Sequence, residues 1–519
     1  MLKLTKYLKK SIVPILAVIA LLVVQASCDL ALPTYTSNIV NVGIQQGGIE
    51  RPAFDVVRKS TFDALQLFMN TGDKSLTQNS YRLLDRETLS GEEFDRYVKE
   101  YPVLNTEPLY LLEEVKDETL EDLNEAFGKA ILIESMLTGD NENAQTIRAQ
   151  ILAQLPEELL MMANGDILSL FRVMPQEKLD QMLDGVDARL ADMPQSMIAQ
   201  SAVGYVKAEY QAVGIDTDAL QTRYIVQTGV KMLLIALLGL AVAIFAGFLA
   251  AKVAATFGHD VRRLVFRKVV SFSSAEMEKF STASLITRST NDVQQVQMIM
   301  VMLLRIVCYA PIMAIGGIIK VVNTNLSMTW IIAVGVALIL CVVGVLFVTV
   351  MPKFKIVQKF VDKLNLIMRE ILTGLPVIRA FSTAKHEEKR FDKANEDLTK
   401  LNIFVNRAMS LMMPLMMLLM NGITLLIVYK GAESINTGGM QVGDMMAFIQ
   451  YTMQIIMSFL MISMFSIMLP RAAVSGSRIA EVLETEVSIA DPKQPEKFDE
   501  NKKGLVEFKN VSFRYDDAE

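Results

Sequence analysis

The chain has 519 residues, 52% of them hydrophobic and 21% charged, and a formal net charge of -6. A positive mean hydropathy of +0.34 excludes a soluble enzyme or a nucleic-acid-binding module and describes an all-α protein that crosses a membrane several times. The net charge conceals a segregation: residues 50–220 hold roughly 30 acidic against about 15 basic side chains, while the other polar segments are basic.

Cys28, Cys308 and Cys341 fall in or beside apolar runs without paired spacing, so they read as packing residues rather than disulfides or metal ligands. His259 and His386 lie far apart among cytoplasmic charges and read as solvated or helix-terminal.

The first apolar run, residues 12–24, follows Lys3, Lys6, Lys9 and Lys10 and has the outline of a signal peptide. Gln25 stands where a lipoprotein cleavage box takes an aliphatic residue, and the apolar character continues through Leu30, Ala31 and Leu32. A retained transmembrane helix over residues 1–45 is therefore expected. Its outer part keeps an apolar face through Ile39, Val40 and Ile44, as a helix emerging into water would.

Residues 46–220 predict an acidic, helical, extracytoplasmic insert. Leu120, Leu123, Phe127, Ile131 and Leu132 recur at three-to-four spacing. Residues 151–162 and 177–193 behave similarly, with Pro175 near a helix start and turns at 139–143 and 164–166. The insert holds no His or Cys, and its carboxylates are spread as on a solvated surface; a paired-carboxylate glycosidase site would use the same residue types.

Residues 221–485 hold further apolar spans at about 222–257, 296–322, 328–350, 404–429 and 444–469. The two long connections between them carry about 18 Lys and Arg, whereas the short turns at 323–327 and 431–443 carry none. That asymmetry places the long connections and both termini in the cytoplasm, giving a multi-pass protein of the cell membrane. No Pro occurs between Pro194 and Pro311, so a helix entering the first long connection can run for about 50 residues, roughly 75 Å, against a hydrocarbon core of ~30 Å. Such a helix reaches far into the cytosol, toward something it can push on or be pushed by.

The segment at the end of that helix, residues 272–293, is polar and rich in helix caps. FSTASLITRSTNDV (280–293), REILTGLPVIRAFSTAKHEEKRF (369–391) and GLVEFKNVSFRY (504–515) together resemble the exporter-type ATP-binding-cassette transporters, and multidrug exporters of Gram-positive bacteria in particular. The resemblance covers residues 1–45 and 220–519. It implies a half-transporter: six long transmembrane helices, then a linker (486–503) and the first strands of an α/β nucleotide-binding domain (504–519). It also implies ATP with Mg2+ as cofactor, a second half-transporter as partner in a homo- or heterodimer, and a small amphipathic substrate. In that family each cytoplasmic connection ends in a short coupling helix docked on a nucleotide-binding domain, which by position would lie within 272–280 and 378–386. Phe272, Phe280 and Phe381 would serve as exposed aromatic anchors, Arg379, Glu387 and Arg390 as a polar rim, and Tyr515 as an adenine-stacking ring.

The sequence departs from the family in two places. No G-x-x-x-x-G-K-[ST] loop occurs through Glu519, so a longer gene product carrying the remaining ATPase elements is expected. The insert at 46–220 replaces what is usually a short outer turn.

Methionines crowd the last spans, among them Met413 and Met417 in one and Met457 and Met461 in the other. They suit either a surface that repacks around varied apolar substrates or ordinary helix packing. Arg305 and Asp29 are ionisable groups in or near the apolar zone; each either lines a water-filled path or caps an interface. The function implied is the membrane half of an ATP-driven exporter. The alternatives are a membrane scaffold or sensor whose insert binds a partner, and a secondary transporter, against which the long inner helices argue.

Overall fold

The computed structural model describes residues 11–138, 195–489, 494, 504 and 506–512. Its six apolar helices of membrane-crossing length span Ile12–Gln45, Thr217–Val270, Thr282–Thr324, Leu326–Thr373, Ala384–Asn436 and Val442–Glu484. Apart from the first, each is 43 to 54 residues long, roughly 65–80 Å of helix against a hydrocarbon core of ~30 Å. The chain forms two compact units, one of Leu16–Leu249 with Leu303–Ser466, the other of Met1–Ile15, Ala250–Met302 and Ile467–Glu519.

The first helix, α1 (Ile12–Asn38), passes into a π-helical turn at Ile39–Gln45. In the insert follow β1 (Val56–Arg58), α2 (Lys59–Gln66), α3 (Thr71–Ser80), β2 (Tyr81–Leu84), α4 (Gly91–Glu100), β3 (Leu109–Leu112), α5 (Asp117–Thr138) and α6 (Gln195–Val213). The periodicity at Leu120–Leu132 is borne out by α5, whose Leu123, Phe127 and Ile131 are fully buried. Periodicity missed a three-stranded antiparallel sheet in the order β1-β3-β2. The expected helices at 151–162 and 177–193, and the turns at 139–143 and 164–166, lie outside the described residues.

The insert has its own aromatic core. Phe62 stacks on Tyr110 at 4.2 Å and Phe54 meets Phe127 edge-on at 5.4 Å, while the Tyr81 hydroxyl donates to the Phe54 carbonyl at 2.6 Å. Glu209, buried beside this core, accepts from the Arg58 guanidinium at 3.0 and 2.8 Å and from the Thr61 hydroxyl at 3.0 Å. Those partners answer the cost of burying a carboxylate. Entry and exit of the insert lie side by side: Gln221 donates to the Gly43 carbonyl at 2.8 Å. Gly48, at φ +82°, passes so close to the Gln221 backbone that a Cβ would sit 2.8 Å from its Cα.

Beyond the insert come α7 (Thr217–Val270), the short helices α8 (Ser274–Lys279) and α9 (Thr282–Thr287), α10 (Val293–Met302) and α11 (Tyr309–Thr324). Next are α12 (Thr329–Thr373), the short α13 (Leu375–Ala380), α14 (Ala384–Asn436) and α15 (Val442–Glu484). Within the larger unit, α1 is joined to α15 by a row of polar contacts. Tyr451 reaches the Thr34 hydroxyl at 2.7 Å and the Leu30 carbonyl at 3.2 Å. Asp444 accepts from Ser37 at 2.8 Å and Asn41 at 3.0 Å, and the Asn41 side chain accepts from the Gly443 amide at 2.7 Å. Gly443 is required there, because a Cβ would stand 2.5 Å from the Ser37 carbonyl oxygen.

Residues 506–512, expected to begin a sheet, carry no strand, and Val506, Phe508 and Val511 are exposed. A strand is defined by a hydrogen-bonded neighbour, and the described residues offer none. Phe513 and Tyr515 lie outside the described residues.

Candidate functional site

The long helices end in two elbows, built differently. In the first, Ser273 caps α8 and the Glu276 carboxylate reaches back to the Ser273 amide at 2.6 Å, closing a capping box. Glu276 also accepts from the Ser488 amide at 3.0 Å, and the hydroxyls of Ser273 and Ser488 meet at 3.0 Å. One carboxylate thus holds the elbow to the segment that follows α15. Hydrogen bonds from Ser273, then Ser488, lower its pKa to about 2, so it is ionised throughout the physiological range.

Phe280 forms the inner wall of this elbow. It is 4% exposed, stacks on Phe272 with centroids 5.9 Å apart, and is covered by the Arg288 guanidinium at 4.8 Å. Arg288 in turn donates to the Arg478 carbonyl at 3.0 Å and the Glu481 carboxylate at 2.8 Å, both on α15. A turn further, buried Asp292 accepts from Ser475 of α15 at 2.8 Å. The expectation that Phe280 is an exposed anchor is corrected: its ring is consumed in holding the elbow's own shape, leaving Met277 as the large apolar residue that α8 exposes.

The second elbow begins three residues earlier than expected. Its short helix is α13, Leu375–Ala380, rather than 378–386, because Pro376 in the first turn favours helix initiation where its missing N–H is not needed. Ser382, at φ +52°, then turns the chain into α14 and leaves Phe381 projecting, 76% exposed. Leu372 at the end of α12, and Val377 and Phe381 one turn apart, are exposed, as is Arg379. Arg390 donates to Glu370 of α12 at 2.6 Å and to Glu387 at 3.3 Å, so part of the expected rim is structural strutting between α12 and α14.

In the membrane zone, Met413 and Met417 stand one turn apart on α14, 70% and 63% exposed, and Met457 and Met461 one turn apart on α15, 44% and 43% exposed. Their neighbour Met416 is a core residue, so the methionine-rich segments serve packing as well as surface. Arg305 lies in a π-helical turn, Leu303–Val307, with its guanidinium against Gly247 of α7. Asp29 accepts a hydrogen bond from the Tyr309 hydroxyl. Sequence reasoning missed the parts played by Glu276, Arg288, Tyr309 and Gln454. Only the Ser273-x-x-Glu276 spacing carried a legible signal.

Residues 199–459 match the family model described as the ABC transporter transmembrane region. The chain is 34% identical over 298 residues to an uncharacterized ABC transporter ATP-binding protein of Mycobacterium bovis, covering 57% of this chain and 51% of that protein. It is 35% identical over 325 residues to an uncharacterized ABC transporter ATP-binding protein of Bacillus subtilis, covering 62% and 56%. A putative ABC transporter ATP-binding protein of Mycoplasma genitalium is 29% identical over 296 residues, covering 54% and 46%. The chain spans about half the length of the curated relatives it matches.

Proposed function

The chain belongs to the ABC transporter transmembrane family, and from that premise we propose that it is the membrane-spanning half of an ATP-driven exporter. It pairs with a second half-transporter and moves amphipathic small molecules, peptides or lipids out of the cell by alternating access. Both termini lie in the cytoplasm and residues 46–220 outside it. The observation that carries this reading is the second elbow: a helix end bearing Leu372, Val377 and Phe381 in the open, held up by α12 and α14 far from any bilayer. An exposed apolar patch with a polar margin is a docking surface. Its occupant in this reading is a nucleotide-binding domain.

These 519 residues carry no phosphate-cradling glycine loop, so ATP would be held by ATPase elements other than theirs. What these residues do is transmit. Displacement of a docked domain moves α13, and the Arg390–Glu370 strut makes α12 and α14 move together. In the first elbow, Arg288 ties the segment after α9 to α15, so those two move together.

The insert gives a second reading: a scaffold or sensor whose outer domain grips a partner. Its self-contained aromatic core favours a folded module with a purpose of its own. The discriminating experiment is uptake of a fluorescent amphiphile into inside-out vesicles carrying the intact protein, with and without ATP and Mg2+. The exporter reading expects ATP-dependent uptake that falls at least tenfold in Phe381→Ala at equal protein content. No ATP dependence in the unsubstituted protein would leave the scaffold reading in possession.

A further inference from the structure

Within the larger unit, a polar cluster is set into the apolar zone. Asp29 of α1 lies next to the first residue of α11, Tyr309, whose hydroxyl donates to its Oδ2. Gln454 of α15 donates its amide to the Asp29 carbonyl at 3.3 Å. Tyr309 stands fifteen residues before the outer end of α11 at Thr324, roughly 22 Å along the helix, so the cluster sits well inside a hydrocarbon core of ~30 Å.

Gln25, one turn before Asp29 on α1, also hydrogen-bonds the Tyr309 hydroxyl, yet acceptors in the cluster remain unfilled. The Oε1 of Gln454 is buried and has no hydrogen-bond partner among the described residues. The second carboxylate oxygen of Asp29 faces Gly239 of α7, where a Cβ would stand 3.8 Å from it and 3.3 Å from Cys28 Cβ, so the helix presents backbone rather than a side chain to it. Asp29 makes no ion pair among the described residues, and the guanidinium of Arg305 lies against Gly247, eight residues and roughly 12 Å further along α7. An ionised carboxylate in hydrocarbon without a cation is costly, and such residues mark pathways for charged ligands. One turn inward from Gln454, Met457 offers a partly exposed thioether able to fit apolar bodies of different shape.

We propose that Asp29, with Gln454 and Tyr309, is a binding site for the ammonium group of an amphipathic amine, and that the exported substrate carries such a group. This inference rests on the exporter reading. The ammonium supplies what the cluster lacks: a positive charge for Asp29 and N–H donors for the unfilled acceptor on Gln454. Tyr309 holds Oδ2, fixing the carboxylate so that its other oxygen is presented. The apolar tail lies along the surrounding helices.

The test is equilibrium dialysis of radiolabelled octylamine, octanol and octanoate against the intact protein in nanodiscs at neutral pH, with empty nanodiscs subtracted. Octylamine is expected to bind the unsubstituted protein at least tenfold more tightly than octanol or octanoate. Asp29→Asn should abolish that preference, Asp29→Glu should keep it within about threefold, and Gln454→Leu should weaken octylamine severalfold. Tyr309→Phe, which leaves the charge in place, should retain most of the preference. Equal octylamine binding by the unsubstituted protein and Asp29→Asn would overturn the proposal. So would equal losses in Tyr309→Phe and Asp29→Asn, which would make the cluster a helix-to-helix tie. ATP-dependent uptake into inside-out vesicles carrying the same protein keeps the two failures apart: uptake without an amine preference sinks this site alone, and no uptake sinks the exporter reading beneath it.

Discussion

The two elbows occupy equivalent places in the chain order and spend their aromatic residues in opposite ways. The first turns Phe280 inward, at 4% exposure, under Arg288; the second turns Phe381 outward, at 76% exposure. The first is also tied to α15 and to the segment after it by Arg288, Asp292 and Glu276, whereas the second is braced between its own two helices by Arg390. A buried ring fixes a shape, and an exposed one waits for a surface. In this account the first elbow is a rigid joint to the sixth span and the second is the gripping end.

Four substitutions or conditions break or sharpen that contrast. The largest effect is expected from Phe280→Ala, where loss of a buried ring costs about 3–5 kcal/mol. It should appear as faster amide hydrogen exchange through residues 272–293, with residues 369–391 unchanged. Phe381→Ala should do the reverse: no change in thermal stability, and a loss of about 2 kcal/mol in docking of the nucleotide-binding domain, in line with an aromatic hot spot, measured as lost hydrogen-exchange protection of residues 372–381 in the intact protein. Arg288→Met keeps the bulk over Phe280 but removes the charge-assisted hydrogen bonds to Arg478 and Glu481. A partly solvent-exposed partner limits its cost to about 1 kcal/mol, again seen by hydrogen exchange. The smallest effect concerns pH. The Glu276 pKa is lowered to about 2 from 4.5, so its stabilisation is complete above about pH 4.5 and lost as pH falls toward 2. Protection of the Ser488 amide should decline across that window, and in Glu276→Gln it should already be low at pH 7.

Much of this architecture was legible in the sequence because it rests on long, repetitive signals. The apolar spans, basic long connections and bare short turns give the number of crossings, and the Pro-free stretch before Pro311 predicts the first lever arm, without reference to tertiary contacts. The capping box at Ser273 and Glu276 was equally local. What stayed hidden depends on partners remote in sequence. Nothing near Phe280 announces that Arg478 and Glu481 will hold Arg288 over its ring. The strands of the insert are three or four residues long, and β3 finds its neighbours across long separations, which short-range periodicity does not register. The start of α13 carries a local mark, since Pro376 suits a first helical turn. At the Asp29 cluster the sequence showed an ionisable group in an apolar run. Only the fold showed that Tyr309 and Gln454 converge on it while a glycine faces its free oxygen.

The central claim is that the second elbow, not the first, presents its aromatic to the ATP-binding partner. The most direct measurement is photo-crosslinking of the intact protein in native membranes with benzoylphenylalanine placed at position 381 or at position 280, the adducts being mapped by mass spectrometry. The account predicts an efficient adduct from position 381 to a nucleotide-binding domain, and from position 280 adducts confined to the neighbourhood of Arg288 and α15. A nucleotide-binding-domain adduct from position 280 with none from position 381 would contradict it.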